Sequence, residues 1–175
     1  REKIISNIRQ LTLENLQPLA EMGVAETKMG NVGHKIIKHR LVAEKTPGTE
    51  DLTTIAWSGD RGLTPVEQGP FGVIGAITPS TNPSETVLCN SIGMLAAGNT
   101  VVFNNHPSAN GVASFAVSLV NKASIMAGGP ANIATTVKKP TLATADIMYK
   151  SREIPLLVAT GGPGVVTAVL STGKR

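Results

Sequence analysis

Residues 155 to 175 read PLLVATGGPGVVTAVLSTGKR, and this stretch decides the expected fold. Its apolar start is typical of a buried strand, residues 160 to 164 of a Gly-rich turn, and residues 163 to 170 of a helix. Glycines let a backbone approach a ligand closely, and a helix N-terminus presents free N–H groups and a positive dipole end. The stretch therefore predicts a turn able to hold a phosphate, although a tight turn without a ligand also fits.

The glycine spacing of this turn differs from two well-known phosphate-binding fingerprints. Thr167 stands where G-x-G-x-x-G would place its third glycine, and no Gly-Lys-Ser/Thr follows as in a P-loop. The residues that would approach a phosphate here are Gly161, Gly162, Pro163 and Gly164.

Short apolar strands alternate with helices upstream of this turn. The strands are predicted at residues 71–77, 100–104, 133–137 and 155–159. Helices are predicted after each of them, at residues 83–97, 109–127, 141–150 and 163–170. A strand that returns through a helix to a parallel neighbour makes a right-handed crossover, and repeated units cover both faces of the sheet. The sequence thus predicts an α/β fold with a doubly wound, Rossmann-like parallel sheet.

A helical segment precedes this sheet. The first 44 residues carry apolar side chains at helical spacing, and two helices with a break near Pro18 or Gly23 are expected. Residues 46 to 63 are polar and contain glycine, which is typical of a connecting segment. We divide the chain into N-terminal helices and a connecting segment that pack on the domain, residues 1–63, and a dinucleotide-binding α/β domain, residues 64–175.

The composition excludes several classes of protein. Hydrophobic residues make up 41% and charged residues 16%, so the chain can bury a core and is not disordered. Aromatic residues are 3%, the net charge is only +4 and the basic residues are dispersed, which argues against binding to nucleic acid. No apolar run approaches the roughly 18 residues of a membrane span.

Cysteine and histidine usage sets further limits. A single cysteine excludes an intramolecular disulfide, and the three histidines lack metal-ligand spacing, so no metal is expected. No secretory signal is present, and a reducing, cytoplasmic compartment fits this pattern.

Open α/β sheets bind ligands at the carboxyl ends of their strands. The loops that follow the predicted strands are residues 78–82, 104–108, 138–140 and 160–163. Asn82 precedes a helix, where its side chain could cap the N-terminus or donate a hydrogen bond to a developing oxyanion. Residues 104–107 could reach a ribose or a phosphate, or form a plain turn. Cys89 lies among apolar residues of a helical run, so we expect it to pack in the core rather than to react.

Residues 65 to 107, PVEQGPFGVIGAITPSTNPSETVLCNSIGMLAAGNTVVFNNHP, resemble the nucleotide-binding domain of the aldehyde dehydrogenase superfamily. The landmarks are Gly-Val-Ile-Gly-Ala-Ile-Thr-Pro at residues 72–79 and Ala-Ala-Gly-Asn-Thr-Val-Val at residues 96–102. The Thr-Asn-Pro-Ser-Glu-Thr and His-Pro elements, with the Gly-rich turn, narrow the resemblance to the CoA-acylating aldehyde dehydrogenases of ethanolamine and propanediol utilisation. The resemblance covers nearly the whole chain.

This resemblance implies an NAD-dependent conversion of an aldehyde and coenzyme A to an acyl-CoA. In the family a cysteine thiolate attacks the aldehyde, hydride leaves to the nicotinamide of NAD, and coenzyme A resolves the thioester. The oxyanion asparagine of the family falls in its Thr-Asn-Pro element, so the resemblance makes Asn82 the catalytic candidate. The cofactor-binding residues implied in the same way are Thr78, Pro79, Ser80, Asn104, His106, Pro107, Gly161, Gly162, Pro163 and Gly164.

Several positions depart from the family's pattern. Asn104 replaces the lysine of hydrolytic aldehyde dehydrogenases, as the acylating branch tends to do, and Asn105 stands where that branch commonly has proline. In the family the nucleophilic cysteine and the general-base glutamate belong to a later catalytic domain. Cys89 does not match the position of that cysteine, and Glu85 does not match the position of that glutamate. We therefore expect the chain alone to be inactive. A truncated, non-catalytic homologue that only folds or assembles is the alternative function.

The same resemblance implies the surroundings of the protein. The expected location is the bacterial cytoplasm. Members of the family also reside inside bacterial microcompartments, so this location and contact with the microcompartment shell are expected as an alternative. The full-length protein is expected to form a homo-oligomer, a dimer or a tetramer, without nucleic acid or membrane partners. Acetaldehyde and propionaldehyde both stay open as substrates, because the aldehyde pocket of the family lies mostly outside this stretch.

Overall fold

The computed structural model describes all of residues 1–175 and contains seven α-helices and six β-strands. In chain order the elements are α1 (Glu2–Glu14), α2 (Leu16–Thr27), α3 (Val32–Lys45), β1 (Ile55–Gly59), β2 (Gly62–Val66), β3 (Val73–Ile77), α4 (Pro83–Ala96), β4 (Thr100–Asn104), α5 (Asn110–Met126), β5 (Ala134–Thr136), α6 (Leu142–Lys150), β6 (Leu156–Ala159) and α7 (Pro163–Leu170). Short 3₁₀ turns at Thr49–Asp51 and Pro107–Ala109 precede β1 and α5. No helix is both long and apolar enough to span a membrane.

Four strands form one parallel sheet in the order β5-β4-β3-β6. Within this sheet the chain first forms the inner strand β3 and continues through β4 to the edge strand β5. It then crosses back and adds β6 on the other side of β3. This reversal is the topological switch at which doubly wound sheets open a ligand crevice. The predicted α/β fold with a parallel sheet is confirmed.

The strands alternate their side chains between two apolar clusters, one on each face of the sheet. On one face, Ala76 and Phe103 pack into a cluster with helices α1, α2, α4 and α5. On the other face, Ile77 and Leu157 pack with Met148 of α6, and α7 joins them there. Helices therefore cover both faces, as parallel sheets require.

The N-terminal segment differs from the prediction, because it contains three helices rather than two. The breaks fall at Asn15 and at residues 28–31, where Lys28 adopts a left-handed backbone with φ of 59°. Pro18 is the third residue of α2, in the first helical turn, where a missing N–H removes no intrahelical hydrogen bond. Gly23 lies inside α2 and lets Lys35 of α3 pack closely against it.

A second difference concerns the segment expected to be a plain connection. Residues 55 to 66 form an antiparallel hairpin of β1 and β2, in which every residue of both strands is exposed. The alternation of apolar and polar residues was too weak to reveal strands that bury neither face. The predicted boundary between residues 63 and 64 falls inside β2, and the division of the chain into two parts stays a prediction.

Candidate functional site

A cleft of about 750 Å³ opens at the carboxyl ends of β3, β4 and β6. Pockets that bind small molecules and cofactors commonly have volumes of this order. Of the residues predicted from sequence, those that line it are Thr78, Pro79, Ser80, Asn82, Asn104, His106, Pro107, Gly161 and Gly162. Pro163 and Gly164 continue from the same turn into α7 but do not line the cleft. The structure thus brings three separate loops to one site.

Backbone hydrogen bonds hold these loops beside one another. The N–H of Thr160 donates to the carbonyl of Ile77 at 3.1 Å, which fixes the Gly-rich turn to the end of β3. The N–H of Thr78 donates to the carbonyl of Asn104 at 3.4 Å, which joins the ends of β3 and β4. The backbone hydrogen bonding of the sheet therefore continues into the loops that surround the cleft.

The Gly-rich turn presents N–H groups without partners. Those of Gly161, Gly162 and Gly164 donate no hydrogen bond within the chain, and no side chain caps α7. A Cβ at Gly162 or Gly164 would meet no heavy atom within 4 Å, so there is open space beside the backbone at both positions. Unpaired N–H groups at a helix N-terminus, reachable without steric obstruction, are suited to bind a phosphate.

Asn82 occupies the N-cap position of α4, but its side chain does not cap the helix. Its Oδ1 instead accepts a hydrogen bond from Nζ of Lys38 on α3, at 2.6 Å. The Nδ2 group of Asn82 donates to no protein atom, and the residue lines the cleft. The Asn82 side chain therefore does not act as a helix cap, and its amide hydrogens are available for a ligand.

Asn104 ends β4, and Asn105 and His106 follow it. Asn105 is almost fully buried and accepts from Thr78 Oγ1 at 3.0 Å while donating to Thr136 Oγ1 at 2.7 Å, so it connects the ends of β3, β4 and β5. Asn104 lies beside it and accepts from the Thr144 hydroxyl at 2.9 Å. Both side chains are already engaged in the floor of the cleft, although Asn104 retains its Nδ2 donors.

His106 is exposed at the rim of the cleft. Its Nδ1 accepts from the N–H of Ser108 at 3.2 Å, so that nitrogen carries no proton, and the hydrogen of the neutral ring lies on Nε2. The ring therefore offers an N–H donor at Nε2.

Helix α6 contributes a wall that the sequence did not reveal. Leu142, Ala145 and Tyr149 line the cleft, whereas the loop at 138–140 that was expected there does not. Leu142 is 91% exposed, and partial burial raises the pKa of the Tyr149 hydroxyl. The sequence did contain one signal for this wall, which is Leu142 directly after the capping residue Thr141. A leucine in the exposed first turn of a helix is not used in the core, so it is available to contact a ligand.

The lining contains no lysine, arginine, aspartate or glutamate, and His106 is its only titratable side chain apart from Tyr149. An anionic ligand would therefore be held by backbone amides and neutral side chains. The helix dipole of α7 supplies partial positive charge at the glycine end of the cleft.

The prediction that Cys89 packs in the core is wrong. Cys89 is exposed on α4, whose buried face includes Val87, Leu88 and Ile92. Successive side chains of a helix point in directions about 100° apart, so apolar residues next to Cys89 in the sequence can be buried while Cys89 faces solvent. The thiol lies outside the cleft.

The fold and the cleft define a Rossmann-type α/β protein. Comparison with known proteins is consistent with this class, because the model of the aldehyde dehydrogenase family matches residues 1–175. The chain belongs to the aldehyde dehydrogenase family.

Three similar proteins make the comparison more specific. The acetaldehyde dehydrogenase (acetylating) of Bilophila wadsworthia is 49% identical over 95% of the chain. The propionaldehyde dehydrogenase of the Clostridium phytofermentans fucose utilisation bacterial microcompartment is 70% identical, and its structure superposes over the whole chain with a TM-score of 0.98. The Rhodopseudomonas palustris propionaldehyde dehydrogenase, solved with bound propionyl-CoA, is 54% identical with a TM-score of 0.97 over the whole chain.

The chain spans only part of each of these proteins. It covers 34% of the Bilophila protein, 40% of the Clostridium chain and 39% of the Rhodopseudomonas chain. The resemblance to CoA-acylating aldehyde dehydrogenases that residues 65 to 107 indicated is confirmed by these similarities.

Proposed function

We propose that this chain is the NAD-binding part of an oxidoreductase that converts a short-chain aldehyde and coenzyme A reversibly to an acyl-CoA. The observation that carries the proposal is the shared cleft, which is lined both by Asn82, with its free amide hydrogens, and by Gly161 and Gly162, with their unpaired N–H groups. One group is suited to an oxyanion and the others to a pyrophosphate.

The cleft has the features that a dinucleotide requires. The Gly-rich turn has open space beside its backbone at Gly162, and α7 begins there. His106 and Asn104 offer N–H donors at the β4 end, where a ribose would lie. Leu142 and Tyr149 provide an apolar wall for a ring. When bound, NAD would supply the hydride acceptor of the reaction.

In this proposal Asn82 donates a hydrogen bond to the aldehyde oxygen as negative charge develops on it. A donor that is fixed in place before the reaction stabilises the transition state without a reorganisation cost. The chain's own contribution to catalysis is this donor and the orientation of the dinucleotide. The attacking thiolate would come from the remainder of the full-length enzyme.

The substrate proposal follows the relatives. The Bilophila protein is named for acetaldehyde and the Clostridium and Rhodopseudomonas proteins for propionaldehyde, and we propose an aldehyde of this size together with coenzyme A. Because the Clostridium relative comes from a bacterial microcompartment, we propose the same setting here, within a bacterial cytoplasm and against the compartment shell.

A homo-oligomer is the proposed assembly, with the β1–β2 hairpin as its contact. Ile55, Trp57 and Leu63 of this hairpin are more than half exposed. A two-stranded hairpin is marginally stable by itself in water, and its open edges invite a further strand. Burial of these side chains against another subunit would stabilise both.

The test of the function uses the full-length enzyme that carries this segment. With acetaldehyde or propionaldehyde, NAD and coenzyme A, we expect one NADH to form for each acyl-CoA, and omission of coenzyme A to stop turnover. NADH and acyl-CoA are measured by absorbance and chromatography. A non-catalytic homologue would form neither product, and a hydrolytic dehydrogenase would form NADH and free acid without coenzyme A.

A further inference from the structure

Two lysines of α3 contact two successive residues of the loop before α4. Lys38 donates from Nζ to Oδ1 of Asn82 at 2.6 Å. Lys35 donates from Nζ to the carbonyl of Thr81 at 3.2 Å. Residues three apart lie on the same face of a helix, so α3 presents both ammonium groups to one loop.

We propose that Lys38 is a positioning residue, which orients the Asn82 amide so that its hydrogens face the cleft, and that the buried pair of Lys35 and Glu85 anchors the loop for this contact. The inference rests on the proposed role of Asn82 as an oxyanion donor. It adds a residue of the N-terminal helices to the catalytic apparatus of a different part of the chain.

The chemistry of lysine determines how the amide lies. An ammonium group has three donors and no acceptor, so the atom of Asn82 that faces Lys38 must be the oxygen. The Nδ2 group consequently points away from Lys38, and it has no partner in the protein. A charged donor on the oxygen also polarises the amide, which makes its N–H groups better donors. Without Lys38 the amide could turn over or form the ordinary N-cap bond to its own helix.

The anchor beneath this contact is a buried ion pair. Nζ of Lys35 lies 3.4 Å from Oε1 of Glu85, with 4% and 6% of the two side chains exposed. Glu85 belongs to the first turn of α4, so the pair joins α3 to α4 immediately below the loop. Because a buried charge that loses its partner is strongly destabilising, this contact fixes the distance between the two helices.

A neutral histidine makes a second connection between the same helices. Nδ1 of His39 lies 2.7 Å from the carbonyl of Lys35, which can only accept, so Nδ1 carries the proton. Nε2 of His39 lies 2.8 Å from Oγ of Ser84, whose hydroxyl also lies 3.3 Å from Oε2 of Glu85, and burial lowers the pKa of His39. The loop and the start of α4 are thus held by side chains of α3 on both sides of Asn82.

Exposure separates the two kinds of contact. Lys35 is buried and Lys38 is exposed. An exposed hydrogen bond adds little to folding stability, so the removal of Lys38 should change the orientation of Asn82 and leave the fold intact. Loss of Lys35 would disturb the fold itself, and Lys38 is therefore the position to test.

The test compares Lys38→Met with Lys38→Arg and Lys45→Met in the full-length enzyme. Lys45 is an exposed lysine at the end of α3 and serves as the matched control. For Lys38→Met we expect kcat to fall about tenfold, as suits the loss of a hydrogen bond to a charged group, with KM for the aldehyde and the melting temperature unchanged. Lys38→Arg keeps a charged donor and should recover most of the rate, and Lys45→Met should behave as the parent.

A double-mutant cycle with Asn82→Ala distinguishes the inference from the function on which it rests. If Lys38 acts through Asn82, the Lys38→Met change has no further effect once Asn82 is alanine. Equal fold-losses of Lys38→Met with and without Asn82 would overturn the positioning role and leave the oxyanion role intact, as would an unchanged kcat for Lys38→Met alone. An unchanged rate for Asn82→Ala would overturn both.

Discussion

Gly75 of β3 lies directly opposite Leu157 of β6, and a Cβ at position 75 would stand only 2.8 Å from Cδ2 of that leucine. The same added Cβ would stand 3.0 Å from Cγ of Met148 on α6. The strand pair next to the topological switch therefore packs so closely with α6 that a single methyl group has no room. The absence of a side chain at position 75 therefore lets Leu157 and α6 pack closely on β3, one of the strands whose ends open the cleft.

We expect Gly75→Ala to lower the free energy of unfolding by about 1–3 kcal/mol, because overpacking forces the neighbours to shift. Urea denaturation of the parent and the variant measures the difference. Gly93→Ala on α4 is the control, since a Cβ there meets no heavy atom within 4 Å and alanine favours a helix. Equal stability of Gly75→Ala and the parent would contradict the close packing described above.

Substitution of Gly162 should block NAD binding without loss of the fold. A valine there has space in the protein itself, so its side chain would project into the open space beside the unpaired amides. Calorimetric titration with NAD should show binding by the parent and by Gly93→Val, which lies outside the cleft, and none by Gly162→Val. If Gly162→Val binds NAD as tightly as the parent, the pyrophosphate lies elsewhere.

Asn82→Ala should lower the rate of the full-length enzyme and leave NAD affinity nearly intact. The loss of one oxyanion donor costs about 3 kcal/mol of transition-state stabilisation, a fall of roughly 10²–10³ in kcat. Steady-state kinetics measures the rate, and calorimetry measures the dissociation constant of NAD. A rate equal to that of the parent would remove Asn82 from catalysis.

The buried His39 should make stability depend on pH in mildly acidic solution. Burial, the largest influence, lowers its pKa from 6.5, while Glu85 opposes this and the ammonium groups of Lys35 and Lys38 reinforce it. As the pH falls below 6.5, His39 is protonated in the unfolded chain but stays neutral in the folded chain. The contribution of the neutral His39 to the free energy of unfolding is therefore fully present above pH 6.5 and is lost as the pH falls toward the lowered pKa of the folded state.

The expected slope is at most about 1.4 kcal/mol per pH unit between pH 6.5 and about pH 5, above the range in which carboxylates titrate. Urea denaturation at several pH values measures it. His39→Gln should flatten the slope, whatever its effect on absolute stability, whereas the exposed His34→Gln should not. An identical slope in His39→Gln would assign the titration to another group.

Local patterns were sufficient for the sheet and for the edge at which the cleft lies. The apolar runs that became β3, β4, β5 and β6 are short and bounded by turn residues, and the carboxyl ends of parallel strands meet at one edge. The order of elements alone was therefore enough to predict that Gly161 and Gly162 lie across the same cleft from Asn82, and all three residues line it.

The features that sequence reasoning missed depend on contacts between distant parts of the chain. Lys38 and Asn82 are 44 residues apart, and no local pattern indicates that a helix of the N-terminal segment reaches the loop before α4. Cys89 was misassigned because an apolar helix was expected to be buried all round, whereas α4 buries one face. The β1–β2 hairpin was missed because its apolar side chains have no core in this chain to face.

The donors of the Gly-rich turn are main-chain groups, which every amino acid except proline supplies. What Gly162 contributes is therefore empty volume rather than a chemical function. Alanine or serine at this position would keep the same N–H group and remove only part of the space. Size varies in small increments, so selection could narrow or widen this end of the cleft gradually while its hydrogen-bonding pattern stays constant.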